Sequence, residues 1–242
     1  MTLTEAQLFD LIDVTWPAAS TGMAGPFRIR EGRGGGSRVS AATAEGAFDD
    51  IDFSHAEEAM RKLGQTPLFM VRGGEYALDR ALAAQGYLVK DPVIGFVSKV
   101  EPLMAALPPP VTTFEIWPPL PIESELWEAG GIGPARLDVM LRAECDRTTI
   151  LGRLDDTPAG VAYVGRVGAH GMIHAIEVAP HFRRRGLGGH MIAAAARWVR
   201  QTGGTHLSLI VTRANAGAQA LYSSLGMMPV GQYHYRIHPE GT

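Results

Sequence analysis

The stretch VAPHFRRRGLGGHMI, residues 178 to 192, decides how the rest of the chain is read. Arg183, Arg184 and Arg185 run straight into Gly186, Leu187, Gly188 and Gly189, and an alanine-rich helical stretch follows at once. A helix N-terminus presents unpaired N–H groups and partial positive charge. An anion can accept from several of those groups together when no Cβ stands in the way. The glycines remove that obstruction, and the arginines add charge that pairs with phosphate oxygens. The segment therefore reads as a cradle for a di-anion between a strand and a helix. The plainer alternative is a flexible basic loop before an ordinary helix. The order of strand, Val-Ala-Pro, arginines, Gly-Leu-Gly and amphipathic helix argues against it.

Outward from the cradle, the second half of the chain alternates strands and helices. Upstream, FEIW (114–117), TILGRL (149–154), GVAYVGRV (160–167) and MIHAIEV (172–178) read as strands, with Pro180 stopping the last. IESELWEA and ARLDVMLRAEC read as helices, the second opening after Gly133-Pro134. Downstream, residues 187–202 place Leu187, Met191, Ala194, Ala195, Trp198 and Val199 at helical spacing, ended by Gly203-Gly204. LSLIV (207–211) is a short buried strand. NAGAQALYSSLG is a helix with Asn215 as N-cap and Gly226 as stop, and MMPVGQYHYRI is a closing strand.

The first half is less explicit. FRIRE and RVSAAT read as strands, joined by EGRGGGSR as a mobile hairpin loop. That glycine run matches neither a dinucleotide fingerprint nor a P-loop. SHAEEAMRKLG and EYALDRALAAQG read as helices, PLFMV and DPVIGFVSKV as strands. LFMV, a helix, then Gly86-Tyr87 is echoed at an offset of 140 residues by SLIV, a helix, then Gly226-Met227. The first half thus reads either as a reduced copy of the second or as an unrelated strand–helix–strand unit. The proline-rich segment 106–121 suggests a linker at 107–111, with a boundary near Leu107 between residues 1–106 and 112–242.

Bulk properties narrow the function classes. The chain has 242 residues, 46% of them hydrophobic, which is enough for one large domain or two small ones. A net charge of −3 gives no general affinity for nucleic acid or anionic membrane. The single cysteine, Cys145, excludes an intrachain disulfide and suggests a reducing, cytoplasmic setting. MTLTEAQLFD lacks the basic and apolar regions of a signal peptide, and no apolar run is long enough to span a membrane. No metal site is expected. There is no G-x-S-x-G elbow to suggest a serine hydrolase.

VAPHFRRRGLGGHMI resembles the pyrophosphate-binding signature of the GCN5-related N-acetyltransferases, R-x-x-G-x-G/A after V-x-P. LIVTRANAGAQALYSSLGM resembles the second signature of the same family, with Asn215, Ala218, Tyr222, Leu225 and Gly226 matching. The likeness covers about residues 111–238, and a looser one extends to two-part bacterial members with a degenerate N-terminal half. It implies an α/β fold. By that resemblance a splayed mixed sheet would be flanked by helices and preceded by a smaller, reduced half, and acetyl-CoA would lie where the fourth and fifth strands part. Val178 would contact the pantetheine arm by its backbone, Asn215 would add a contact, and residues 183–189 would hold the pyrophosphate. Tyr222 would act as general acid toward the leaving thiolate, a phenol near pKa 10 serving a thiol near 8.5.

Glu177 is the candidate base, and His174 and His234 are alternatives. Trp117, Trp127, Arg136, Tyr233 and Tyr235 are candidate acceptor-side residues, each equally readable as core or surface. Cys145 reads as structural. The N-terminal half has Leu82 and Glu75 at the offsets of Tyr222 and Asn215 and no R-x-x-G-x-G, so it is expected not to bind CoA. The function expected is acetyl-CoA-dependent N-acetylation of a primary amine on a small molecule or peptide N-terminus, with a homodimer left open. A non-catalytic acyl-CoA sensing or protein-interaction module is the competing reading.

Overall fold

The computed structural model describes residues 3–46, 52–105 and 108–241; the boundary expected near Leu107 lies outside them. In chain order the elements are α1 (Glu5–Thr15), β1 (Ser20–Ala24), β2 (Phe27–Glu31), α2 (Ser37–Ser40), β3 (Thr43–Ala44), α3 (Ser54–Lys62), β4 (Leu68–Arg72), α4 (Tyr76–Ala84), β5 (Leu88–Lys99) and α5 (Val100–Leu103). They continue with β6 (Thr113–Ile116), α6 (Pro121–Ala129), α7 (Pro134–Arg142), β7 (Asp146–Leu154), β8 (Thr157–Val167), β9 (His170–Val178), α8 (Leu187–Gln201), β10 (His206–Thr212), α9 (Ala216–Ser224) and β11 (Met228–Ile237). Among the described residues no helix is long and apolar enough to cross a membrane.

The chain divides into two compact units that do not follow one cut. Unit 1 takes residues 1–17, 95–211 and 215–230; unit 2 takes 18–94, 212–214 and 231–242. In unit 1, the second part of β5 and strands β10, β9, β8, β7 and β6 follow one another across a mixed sheet. The β6–β7, β7–β8 and β8–β9 pairs are antiparallel, and β9–β10 is parallel. Helix α8 lies against this sheet through Leu187, Met191, Ile192 and the buried run Ala193–Ala196, closing on Val199, as its periodicity predicts. Glycines in the strands let it come close. A Cβ at Gly152 would meet Leu187 and Met191 at 3.0 Å, and one at Gly171 would meet Val199 at 2.3 Å. Helix α1, opened by a Thr4–Gln7 capping box, buries Leu8, Leu11 and Ile12 with Val97 and Met172.

Unit 2 is built around an aromatic core of Phe27, Phe53, Phe69 and Tyr87 with Met60, Leu78 and Leu82. Strands β1, β2 and β3 form a small antiparallel sheet, and β4 pairs antiparallel with β11 from Leu68↔Ile237 to Arg72↔Tyr233. Here RVSAAT departs from the strand expected. Ser37–Ser40 is one helical turn, and only Thr43–Ala44 is strand. Gly36, at φ 95°, starts the turn, and Ser40 Oγ donates back to the Gly36 carbonyl at 3.1 Å. The internal echo holds at the level of elements. Helix α9 starts and stops 140 residues after α4 (216 against 76, 224 against 84), and β11 starts 140 after β5 (228 against 88).

Candidate active site

The site begins with an irregularity in β9. Tyr163 of β8 faces His174, but Val161 faces Glu177, so β9 carries one extra residue in that interval. Ala175 takes it up at φ 49°, a left-handed conformation unusual for a residue with a Cβ. On its other side β9 pairs with β10 only from His170↔His206 to Ile173↔Leu209. Past Ile173 the two strands are no longer partners, and that edge of β9 opens into a cleft of about 610 Å³. The cleft is lined by Ile176, Glu177 and Val178 from β9, by Phe182, Arg183, Arg184 and residues 186–189 of the turn that follows, and by Asn215, Leu221 and Tyr222 of the α9 segment. All of it lies within unit 1.

The turn before α8 closes one end. Gly186 is the N-cap at φ 86° and supplies no side-chain cap. The first helical bond runs from the His190 N–H to the Gly186 carbonyl at 3.2 Å, so the N–H groups of Leu187, Gly188 and Gly189 precede it. A Cβ at Gly188 would meet Leu221 at 3.2 Å, and one at Gly189 would meet it at 3.9 Å, so glycine lets α8 start close to α9. The three arginines divide their work. Arg183 donates from Nε to the Val178 carbonyl and from Nη2 to Glu177, each at 2.8 Å. Arg185 forks onto Asp155 at 2.8 and 3.0 Å, which raises its own pKa and lowers that of Asp155. Arg184, at φ 64°, lines the cleft, with no carboxylate paired to it among the described residues.

Asn215 caps α9, its Oδ1 accepting from the Ala218 N–H at 3.1 Å, as the sequence led us to expect. Tyr222 lines the cleft and is only 3% exposed; burial pushes its phenol up to about 12. Its ring lies 5.7 Å from Phe96. Glu177 also lines the cleft, held by Arg183 and backed by Gly130, where any Cβ would stand 2.6 Å from Glu177 Cγ.

The structure places the acceptor-side candidates elsewhere. Trp127 is fully buried and donates from Nε1 to the Ala175 carbonyl at 2.7 Å. Tyr233 and Tyr235 are buried residues of unit 2, their rings 5.4 Å apart. The Trp117 ring carries the Arg147 guanidinium at 4.7 Å, and Arg136 donates to the Gly131 carbonyl. Neither alternative base lines the cleft. His174 is buried against Trp16 with Nε2 2.8 Å from Thr15 Oγ1, and His234 pairs with Asp79 at 2.8 Å. Burial raises the Cys145 thiol, which suits a structural role. No group of three or more potential metal ligands occurs among the described residues.

Sequence reasoning passed over Gly130, Gly160, Asp155 and the Ala175 bulge. Gly160 sits under both Met191 Sδ and the Glu177 carbonyl, at 2.9 and 3.0 Å from where its Cβ would be. A glycine in each of two successive strands, opposite the cradle helix, was the signal available.

Comparison with known proteins agrees with this geometry. The model of the Acetyltransferase (GNAT) family matches residues 112–227. An uncharacterized N-acetyltransferase of Bacillus subtilis, YobR, is 23% identical over 238 residues, covering 94% of this chain and 96% of its own. Among solved structures, a GCN5-related N-acetyltransferase from Kribbella flavida superposes with a TM-score of 0.68 at 18% identity, over 97% of this chain and 95% of its own. A tandem GNAT protein from the clavulanic acid biosynthesis pathway superposes at 0.58 with 14% identity, over 97% and 94%.

Proposed function

Because the model of the Acetyltransferase (GNAT) family matches residues 112–227, we propose that the unit 1 cleft transfers an acetyl group from acetyl-CoA directly to a primary amine. The observation that carries this reading is the uncapped start of α8. Three N–H groups precede the first helical bond, glycines stand at three of the four positions 186–189, and Arg184 stands beside them. An anion is the natural partner for such an end, and a pyrophosphate is large enough to meet several donors at once.

In this reading Gly186, Leu187, Gly188 and Gly189 hold the pyrophosphate by their backbone, and Arg184 adds charge. The unpaired edge of β9 at Ile176–Val178 and the Asn215 amide line the path of the pantetheine arm. The amine nitrogen forms its bond to the acetyl carbon as the carbon–sulfur bond breaks. Tyr222, kept protonated by burial, passes its phenolic proton to the departing sulfur. Glu177 receives a proton from the amine, directly or through water, and Arg183 holds that carboxylate at the mouth of the bulge. No residue forms a covalent intermediate. The acceptor is a small amine or a peptide N-terminus.

The test is a free-thiol release assay with acetyl-CoA and a panel of amines, the wild type beside Tyr222→Phe. Amine-dependent thiol release that falls steeply in the variant supports the reading. Wild-type protein that binds acetyl-CoA yet fails to turn over with any amine of the panel favours the sensing module instead.

A further inference from the structure

Helix α6 and the glycine after it touch the reacting end of β9 at two points. Trp127 is 0% exposed, and its indole N–H donates to the Ala175 carbonyl, the carbonyl of the residue that makes the bulge. A β-bulge leaves a carbonyl without its ladder partner, and a buried carbonyl without a donor is costly. The indole therefore removes the penalty that would otherwise push Ala175 back toward a regular strand. Three residues on, Gly130 lies against Glu177; an ideal Cβ there falls 2.6 Å from Glu177 Cγ and 2.9 Å from Cδ. Gly130 itself is at φ −86°, a conformation open to any residue, so space rather than backbone geometry demands glycine.

The start of α6 fixes both contacts. Pro121 opens the helix, and the buried Glu123 accepts from the Leu120 N–H at 2.8 Å. Glu123 and Trp127 are one turn apart on the same face. The helix end is thereby anchored to the sheet with Trp127 under the bulge.

We propose that Trp127 and Gly130 are positioning residues. Trp127 holds the β9 bulge that turns Ile176–Val178 toward acetyl-CoA, and Gly130 leaves the Glu177 carboxylate room to stay in the cleft. This rests on the acetyl-transfer reading above. It makes α6 a template for the catalytic strand, and the two residues act on different steps: Trp127 on cofactor binding, Gly130 on the proton acceptor.

The experiment compares full-length wild type, Trp127→Phe, Trp127→benzothienylalanine, Gly130→Ala and Trp198→Phe. Acetyl-CoA binding is measured by calorimetry and turnover by thiol release. Benzothienylalanine replaces the indole N–H with sulfur at nearly the same volume, so it covers the case in which phenylalanine disturbs the fold. We expect both Trp127 variants to bind acetyl-CoA about tenfold more weakly, the effect of orphaning one buried carbonyl, with KM for acetyl-CoA rising in step. Partial unfolding alone would lower apparent kcat and leave KM unchanged. Gly130→Ala is expected to keep acetyl-CoA affinity and lose kcat, and Trp198→Phe to match the wild type. Trp127 variants with wild-type affinity and kcat/KM overturn the proposal, as does a Gly130→Ala variant with wild-type kcat. Wild-type protein that does not bind acetyl-CoA overturns the cofactor reading itself, and this inference falls with it.

Discussion

In the proposed reaction, Tyr222 is the side chain on which the chemistry turns. Its phenol lines the cleft, and burial alone raises it to about 12, so it stays a proton donor throughout the neutral range. Replacing Tyr222 with phenylalanine is expected to leave acetyl-CoA affinity in place and lower kcat by about 10²–10⁴-fold, the usual range for a lost general acid. The pH profile gives a second check. The phenol ionises near 10 when unfolded and near 12 when folded, so its neutral form stabilises the fold fully below pH 10. That stability is lost as pH rises from 10 to 12, and thermal melts should show a drop there that is smaller in Tyr222→Phe, the other buried tyrosines keeping their share. A rate that falls around pH 9 for want of an acid would point to a different donor. Tyr222 and Asn215 were legible because each occupies a fixed place in a motif. The duty of Trp127 was not, since a tryptophan at helical spacing reads the same whether its N–H meets a bulge or water.

Between β9 and α8 the elements are fitted by glycine. Gly160→Val would drive a branched side chain into Met191 and the Glu177 carbonyl, 2.9 and 3.0 Å from the first carbon. Overpacking of that kind costs about 1–3 kcal/mol, to be read from urea denaturation, and by lifting the α8 start it should also weaken acetyl-CoA. Removing the α9 cap with Asn215→Ala should cost about 1 kcal/mol in the same measurement. The long helix α8 and the strands around it could be read from period and punctuation. The bulge could not: Ala175 sits in MIHAIEV, an ordinary β-rich run, and its left-handed backbone is imposed by pairing with β8 on one side and by Trp127 on the other. RVSAAT misled for a related reason. Its valine and threonine favour strand, but Gly36 before it and the Ser40 hydroxyl close a helical turn first.

On the scale of the whole chain, the 140-residue echo is an echo of elements but not of sites. At the start of α4 the position matching Asn215 is Glu75, whose carboxylate accepts from the Arg72 N–H at 2.7 Å and from Arg72 Nε at 2.8 Å. That carboxylate is occupied by Arg72, and the first half carries no R-x-x-G-x-G, so unit 2 should hold no pyrophosphate, and each chain should bind a single acetyl-CoA. The repeat was visible in sequence because short-range order is written locally. The membership of the two units was not, because β5 and β11 each give residues to both, and pairing between distant segments leaves no local mark. The central claim, that the amides and glycines before α8 grip the diphosphate of coenzyme A, is tested most directly by calorimetric titration of acetyl-CoA into the wild type and into Gly188→Val. We expect one site per wild-type chain and affinity weakened at least about tenfold in the variant, as charge-assisted bonds to the phosphates are blocked. A wild type that takes up no acetyl-CoA, or a folded Gly188→Val protein that binds it equally well, would contradict the account.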